Sequence, residues 1–157
     1  MKSVRLHSRR DIRFENVDMA PVPSPNEVRV KVAYAGICGS DIHNFKTGQW
    51  MTRKPSIAGH EFSGSIESIG DDVRIFQVGD HVVADSRVYC GECKNCKSNH
   101  QHLCSKLGFI GESNDDGISD YNTLPAHLLE KSEHATRLDE AALAEPLAVA
   151  LHALKRV

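Results

Sequence analysis

The chain has 157 residues, a formal net charge of -2 and a pI near 6.5, with 40% hydrophobic and 25% charged residues. That length suffices for one domain with a real core, and the near-neutral balance gives no electrostatic case for nucleic acid or an anionic membrane. No apolar run approaches the ~20 residues that span a bilayer, and the opening Met1-Lys2-Ser3-Val4-Arg5-Leu6-His7 lacks a secretory apolar segment, so the reading is cytosolic. In that compartment the five cysteines are expected as ligands rather than disulfides.

Val4, Leu6, Ile12, Phe14 and Val17 are spaced for short strands around an Arg9-Arg10-Asp11 turn. Pro21, Pro23 and Pro25 make a stiff connector. Residues 27–35 alternate cleanly and predict a strand, with Val28, Val30, Val32 and Tyr34 toward a core and Arg29 and Lys31 toward water. Gly36 and Gly39 then allow a tight turn at which Cys38 can enter a cleft. Residues 44–58 read as loop, and Gly79-Asp80 as a turn feeding a strand from His81 to Ala84. Near the end, Leu147, Ala150, Leu151 and Leu154 form one apolar stripe of a helix, with Pro146 at its first position and Lys155-Arg156 closing it. Eleven helical residues are marginal alone, so the stripe is expected to face something. Short strands with Gly, Pro and Asp turns predict a mainly β, Greek-key or barrel-like domain with short helices.

Two groups of residues carry chemistry. Cys90, Cys93, Cys96 and Cys104 follow Cys-x-x-Cys-x-x-Cys, seven residues, Cys. Four thiolates can close a tetrahedron around zinc and leave no open position, which makes a structural site; the same ligands also suit an iron–sulfur cluster. His100 and His102 fall within this lobe, residues 90–104, and read as exposed loop residues. The second group starts from Gly59-His60-Glu61-Phe62-Ser63-Gly64, in which an imidazole and a carboxylate adjoin on a turn entering a strand. Cys38 and Glu145 supply one sulfur and one further oxygen elsewhere in the chain.

The run Gly-His-Glu-x-x-Gly, five residues, Gly, two residues, Val, from Gly59 to Val73, resembles the zinc-binding fingerprint of the zinc-containing alcohol dehydrogenases, the medium-chain family. The resemblance covers essentially the whole chain and is closest to the sorbitol and polyol dehydrogenase type. It implies the family's GroES-like Greek-key β-barrel over residues 1–146, with 147–157 starting the helix toward a coenzyme-binding domain whose Gly-x-Gly-x-x-Gly turn does not occur here. It implies a structural zinc at Cys90, Cys93, Cys96 and Cys104. It also implies a catalytic zinc at Cys38, His60, Glu61 and Glu145, with Glu61 at the metal or just outside it and Glu145, held directly or through water, standing where classical members have a second cysteine. Ser40 matches the family's relay hydroxyl and His43 a histidine that passes the proton outward. Asp41 is expected to orient His60, while Phe45, Trp50 and Phe109 would line the substrate pocket.

The implied reaction is oxidation of a secondary alcohol, a polyol or sugar alcohol, to a ketone with hydride transfer to NAD or NADP. Threonine or 2,3-butanediol dehydrogenation is the second reading, and an isolated zinc domain without turnover the third. The 157-residue chain by itself is expected to be inactive, and the full-length protein to form a homodimer or homotetramer. One departure stands out. Where relatives commonly read Asp-Gly-Gly-Phe-Ala-Glu-Tyr, this chain has Asp115-Asp116-Gly117-Ile118-Ser119-Asp120-Tyr121, which alters a pocket wall but not the metal sites.

Overall fold

The structure, a computed structural model, describes residues 1–51, 53–111 and 117–156. The segment β1 (Lys2–Ser8) turns at Arg10, which takes a left-handed φ of 60°, into β2 (Asp11–Asn16). The strand β3 (Glu27–Ala35) has the limits its alternation predicts. It runs into α1 (Gly39–Thr47), so the start of the expected loop is helical, and β4 (Ser56–Ile57) closes that stretch. The strands β5 (Phe62–Ile69) and β6 (His81–Ala84) follow, then β7 (Arg87–Val88). The cysteine lobe contains α2 (Lys94–Lys97), and β8 (Gly108–Phe109) comes after it. The chain continues through β9 (Tyr121–Pro125), β10 (Leu129–Lys131), α3 (Leu138–Ala141) and α4 (Ala144–Leu154). The domain is mainly β with short helices, as expected.

Among the described residues all strand pairing is antiparallel, in sheets ordered β2-β1-β4, β10-β6-β5-β3-β9 and β7-β8. The five-stranded sheet carries the core. Val28 and Val30 of β3, Phe62 and Ile66 of β5, Val82 of β6 and Leu124 of β9 are buried together with Val73, Phe76, Ile110 and Leu128. Each large side chain withdrawn from water contributes about 1.5–3 kcal/mol.

The alternation in β3 fails at one place. Tyr34 is 52% exposed, although Val28 and Val30 are fully buried. The β3–β5 register shifts between Val32 and Tyr34, so Ala33 is inserted without a partner. Such a bulge re-aims the side chains beyond it, and Tyr34 leaves the core face.

The glycines of the fingerprint have packing reasons. A Cβ on Gly64 would strike the Lys31 carbonyl, and one on Gly70 would strike the Ser24 carbonyl. Both positions let neighbouring backbones close up, which seats Val73 in the core. Pro146 is the third residue of α4 rather than the first. The helix begins at Ala144, but position three still lies in the first turn, where the missing N–H has no intrahelical acceptor.

The apolar stripe of α4 stays open. Leu147 is 65% and Leu154 73% exposed, and no residue of the helix is buried. No described helix is long and apolar enough to cross a membrane.

Candidate metal centres

Strand register assembles the first centre. Ala35, the last residue of β3, pairs with Phe62, the first of β5. One step farther, the Gly36 N–H donates to the Glu61 carbonyl at 2.6 Å. The loop after β3 therefore lies beside the turn before β5, and these two segments carry Cys38 and His60-Glu61. One ligand atom from each of Cys38, His60 and Glu61 falls within 4.8 Å of the others. Glu61 is buried, and Cys38 and His60 are partly buried. One sulfur, one nitrogen and one oxygen at this spacing suit zinc with a further position open.

Asp41 ties the two segments together. Its Oδ2 accepts the Cys38 N–H at 2.8 Å, which caps α1. Its Oδ1 accepts the Gly59 N–H at 3.3 Å. The distance from Asp41 Oδ1 to His60 Nδ1 is 4.0 Å, too long for the direct hydrogen bond the sequence suggests. Asp41 thus acts on the backbone at both ends of the site. Gly59 needs its glycine, with φ of 94° and Ile118 packed where a Cβ would stand.

Beside this centre lies a cavity of about 700 Å³. His60, Ser40, Asp41, Ser86 and Glu145 line it, and Phe45, Trp50 and Phe109 form aromatic wall as expected. Ile12, Ile37, Ile42 and Ile118 add aliphatic surface that the sequence did not point to. Within the departing segment, Ile118 belongs to this wall, while Asp115 and Asp116 lie outside the described residues. The Ser40 hydroxyl is buried with no hydrogen-bond partner, a polar atom left for something else to satisfy. His43 does not line the cavity. Its Nε2 donates to Gln49 Oε1 at 3.1 Å, and its ring lies against Trp50 with centroids 4.5 Å apart.

Glu145 stands apart from the three clustered candidate ligands. It is the second residue of α4 and lines the same cavity, but its carboxylate is not within their 4.8 Å grouping. Instead Glu145 Oε1 accepts the Ser86 hydroxyl at 2.9 Å. Ser86 was missed by sequence reasoning, because nothing in Asp85-Ser86-Arg87 marks a site. Only the course of the chain out of β6 brings it here.

The second centre gathers all four lobe cysteines, again with sulfurs within 4.8 Å of one another. The Cys93–Cys96, Cys90–Cys104 and Cys90–Cys96 sulfur separations are 3.5, 3.6 and 4.0 Å. Tetrahedral zinc with ~2.3 Å bonds sets sulfurs roughly 3.8 Å apart, so the cluster has the size the metal needs. Backbone N–H groups point at the sulfurs, from Cys93 to Cys90 at 3.4 Å and from Lys106 to Cys104 at 3.3 Å. The Cys96 and Ser105 backbone N–H groups pull Cys93 down to about 6, while burial pushes Cys96 up to about 12. His100 and His102 are exposed and lie outside the cluster.

The alcohol dehydrogenase GroES-like domain family matches residues 24–134. A probable D-xylulose reductase A of Emericella nidulans is 38% identical over 149 residues, covering 92% of this chain and 42% of that protein. Sorbitol dehydrogenase of Bacillus subtilis is 37% identical, with 99% and 45% covered. In three dimensions, galactitol-1-phosphate dehydrogenase of Escherichia coli superposes with a TM-score of 0.92 at 31% identity, covering 98% of this chain and 44% of that one. The chain spans less than half the length of these relatives. With this sheet order and these two clusters, it belongs to the zinc-containing, medium-chain alcohol dehydrogenase family, and what it presents is the GroES-like domain.

Proposed function

We propose that this chain is the alcohol-binding, zinc-holding domain of a dehydrogenase that oxidises a secondary alcohol of the polyol or sugar-alcohol class to a ketone, with NAD or NADP taking the hydride. The observation that carries the reading is the grouping of Cys38, His60 and Glu61 beside a cavity with the unpartnered Ser40 hydroxyl. Both metal sites have donor sets that fit zinc. Cys90, Cys93, Cys96 and Cys104 would hold a structural ion, and Cys38, His60 and Glu61 a catalytic one, with Glu145 facing the same cavity. When bound, zinc supplies Lewis acidity that makes an alcohol or water oxygen easier to deprotonate.

The protein's own groups do the rest. Phe45, Trp50 and Phe109 shield the carbinol carbon from water. The Ser40 hydroxyl can accept the alcohol's proton and pass it on. His43 follows one helical turn later in α1 and, held by Gln49, is the group to carry the proton outward.

Residues 1–146 are read as the catalytic domain, and residues 147–157 as the start of the helix toward a coenzyme-binding domain. The exposed Leu147 and Leu154 support that reading. A homodimer or homotetramer is the assembly we infer for the whole enzyme.

Elemental analysis of protein purified without chelator tests the metal assignment. Two zinc ions per chain are expected, falling to one in Cys38→Ser; no metal, or no loss in the variant, overturns it. For the whole enzyme, nicotinamide reduction with xylitol and sorbitol, set against threonine and 2,3-butanediol, tests the substrate class. Turnover confined to the latter pair replaces it.

A further inference from the structure

The hydrogen bond between Ser86 and Glu145 separates one carboxylate from a metal site that could otherwise take it. Three ligand atoms are already grouped, and Glu145 faces the same cavity without joining them. A dication next to a carboxylate on a mobile side chain would draw that carboxylate in unless another group holds it. Ser86 is such a group. It is buried, 7% exposed, and its hydroxyl donates to Glu145 Oε1 at 2.9 Å.

The serine itself is firmly placed. Its carbonyl accepts the Ile110 N–H at 2.9 Å, and the preceding Asp85 N–H donates to the Leu128 carbonyl at 2.7 Å. On the other side Arg87 forks onto Asp85, with contacts of 3.0 and 2.7 Å. Glu145 is favoured where it stands for a second reason, since it occupies the first turn of α4, where the helix end attracts negative charge.

We propose that Ser86 is a positioning residue that latches Glu145 outside the ligand set, so that the metal at Cys38, His60 and Glu61 keeps a position open to substrate. The latch rests on the reading of those three residues as a zinc site. Without the hydroxyl, Glu145, itself half-buried, loses that donor and turns to the metal as a fourth protein ligand. The open position then closes. Glu145 in its latched place is an acceptor facing the cavity, available to a hydroxyl of the bound alcohol.

Cobalt(II) in place of zinc tests this without turnover. The protein is loaded with cobalt to two ions per chain, and its visible spectrum is titrated with thiocyanate, a small anion that enters an open metal position. Wild type and Glu145→Ala are expected to give a saturable spectral change. Ser86→Ala is expected to bind the anion about tenfold or more weakly, the scale on which groups behind a ligand act. Ser86→Thr, which keeps a hydroxyl, restores the response, and Ser86→Ala with Glu145→Ala restores it by removing the competing carboxylate. Two bound cobalt ions with Ser86→Ala titrating like wild type overturns the latch alone. So does a double variant that stays closed. Uptake of a single cobalt by wild type instead overturns the catalytic-site assignment, and the latch with it.

Discussion

Asp41 holds Gly59: its Oδ1 accepts the Gly59 N–H at 3.3 Å while its Oδ2 accepts the Cys38 N–H at 2.8 Å. One carboxylate thereby fixes the separation of two loops, whose candidate ligands Cys38 and His60 are 22 positions apart in the chain. Asp41→Ala removes both bonds. Loss of the cap alone costs ~1 kcal/mol, and the total is expected at about 1–3 kcal/mol with the loop tie included. Metal affinity at the Cys38 site should fall about 10–100-fold, with the lobe metal retained. Asp41→Asn keeps one acceptor oxygen and should fall between. Urea unfolding and zinc titration of the three proteins measure both effects; equal zinc affinity in all three would remove Asp41 from the site.

Gly36 is pressed against the carboxylate of Glu61, so that an added Cβ would meet Glu61 Oε2 and stand 3.1 Å from Glu61 Cβ. The severe contact is with the mobile end of a side chain, and the one with Glu61 Cβ asks for a shift of only a few tenths of an ångström. Gly36→Ala is therefore expected to shift the ligand rather than unfold the domain. The expected result is a loss of zinc affinity on the order of tenfold, with a melting temperature within a few degrees of wild type. Calorimetry with zinc and a thermal melt check it together.

The lobe responds in the opposite way. Among the described residues it contributes only Cys96 and Cys104 to the buried apolar set, and its few turns close around the sulfurs. Metal binding there is folding energy, of order 10 kcal/mol in small zinc modules. Cys93→Ser is expected to release one metal and lose protection from amide exchange throughout residues 90–104. Cys38→Ser should release the other metal and leave the lobe protected. Exchange mass spectrometry on both variants reads the difference, and melting of the whole domain by Cys38→Ser would erase the division of labour between the two sites.

Asp80 predicts an acid dependence away from both metals. It is buried, and the Lys131 ammonium at 2.7 Å and then the Gln77 N–H hold its carboxyl below the usual range. A carboxyl lowered on folding adds stability above its unfolded value, near 3.9, and that contribution disappears as pH falls through the folded value. Asp80→Asn should therefore cost about 1–2 kcal/mol at pH 7. The gap between wild type and variant should narrow below roughly pH 4. Chemical denaturation of the pair across pH 3–8 measures the gap, and the difference cancels metal loss common to both proteins.

Local pattern carried much of this protein. The four lobe cysteines sit within 15 residues, so loop geometry alone can bring them together. Strand β3 has the limits that its period-two alternation indicates, and the glycines of the His60 fingerprint mark backbones that touch. Residues farther apart obeyed the sheet. The Ala35–Phe62 pairing joined Cys38 to His60, and a bulge at Ala33, invisible in the alternation, turned Tyr34 outward. Tertiary structure alone decided that Glu145 meets Ser86, 59 residues away, instead of joining Cys38, His60 and Glu61. Side-chain chemistry names what can bind a metal, but the register and ends of distant strands set which of those groups come within reach of one ion.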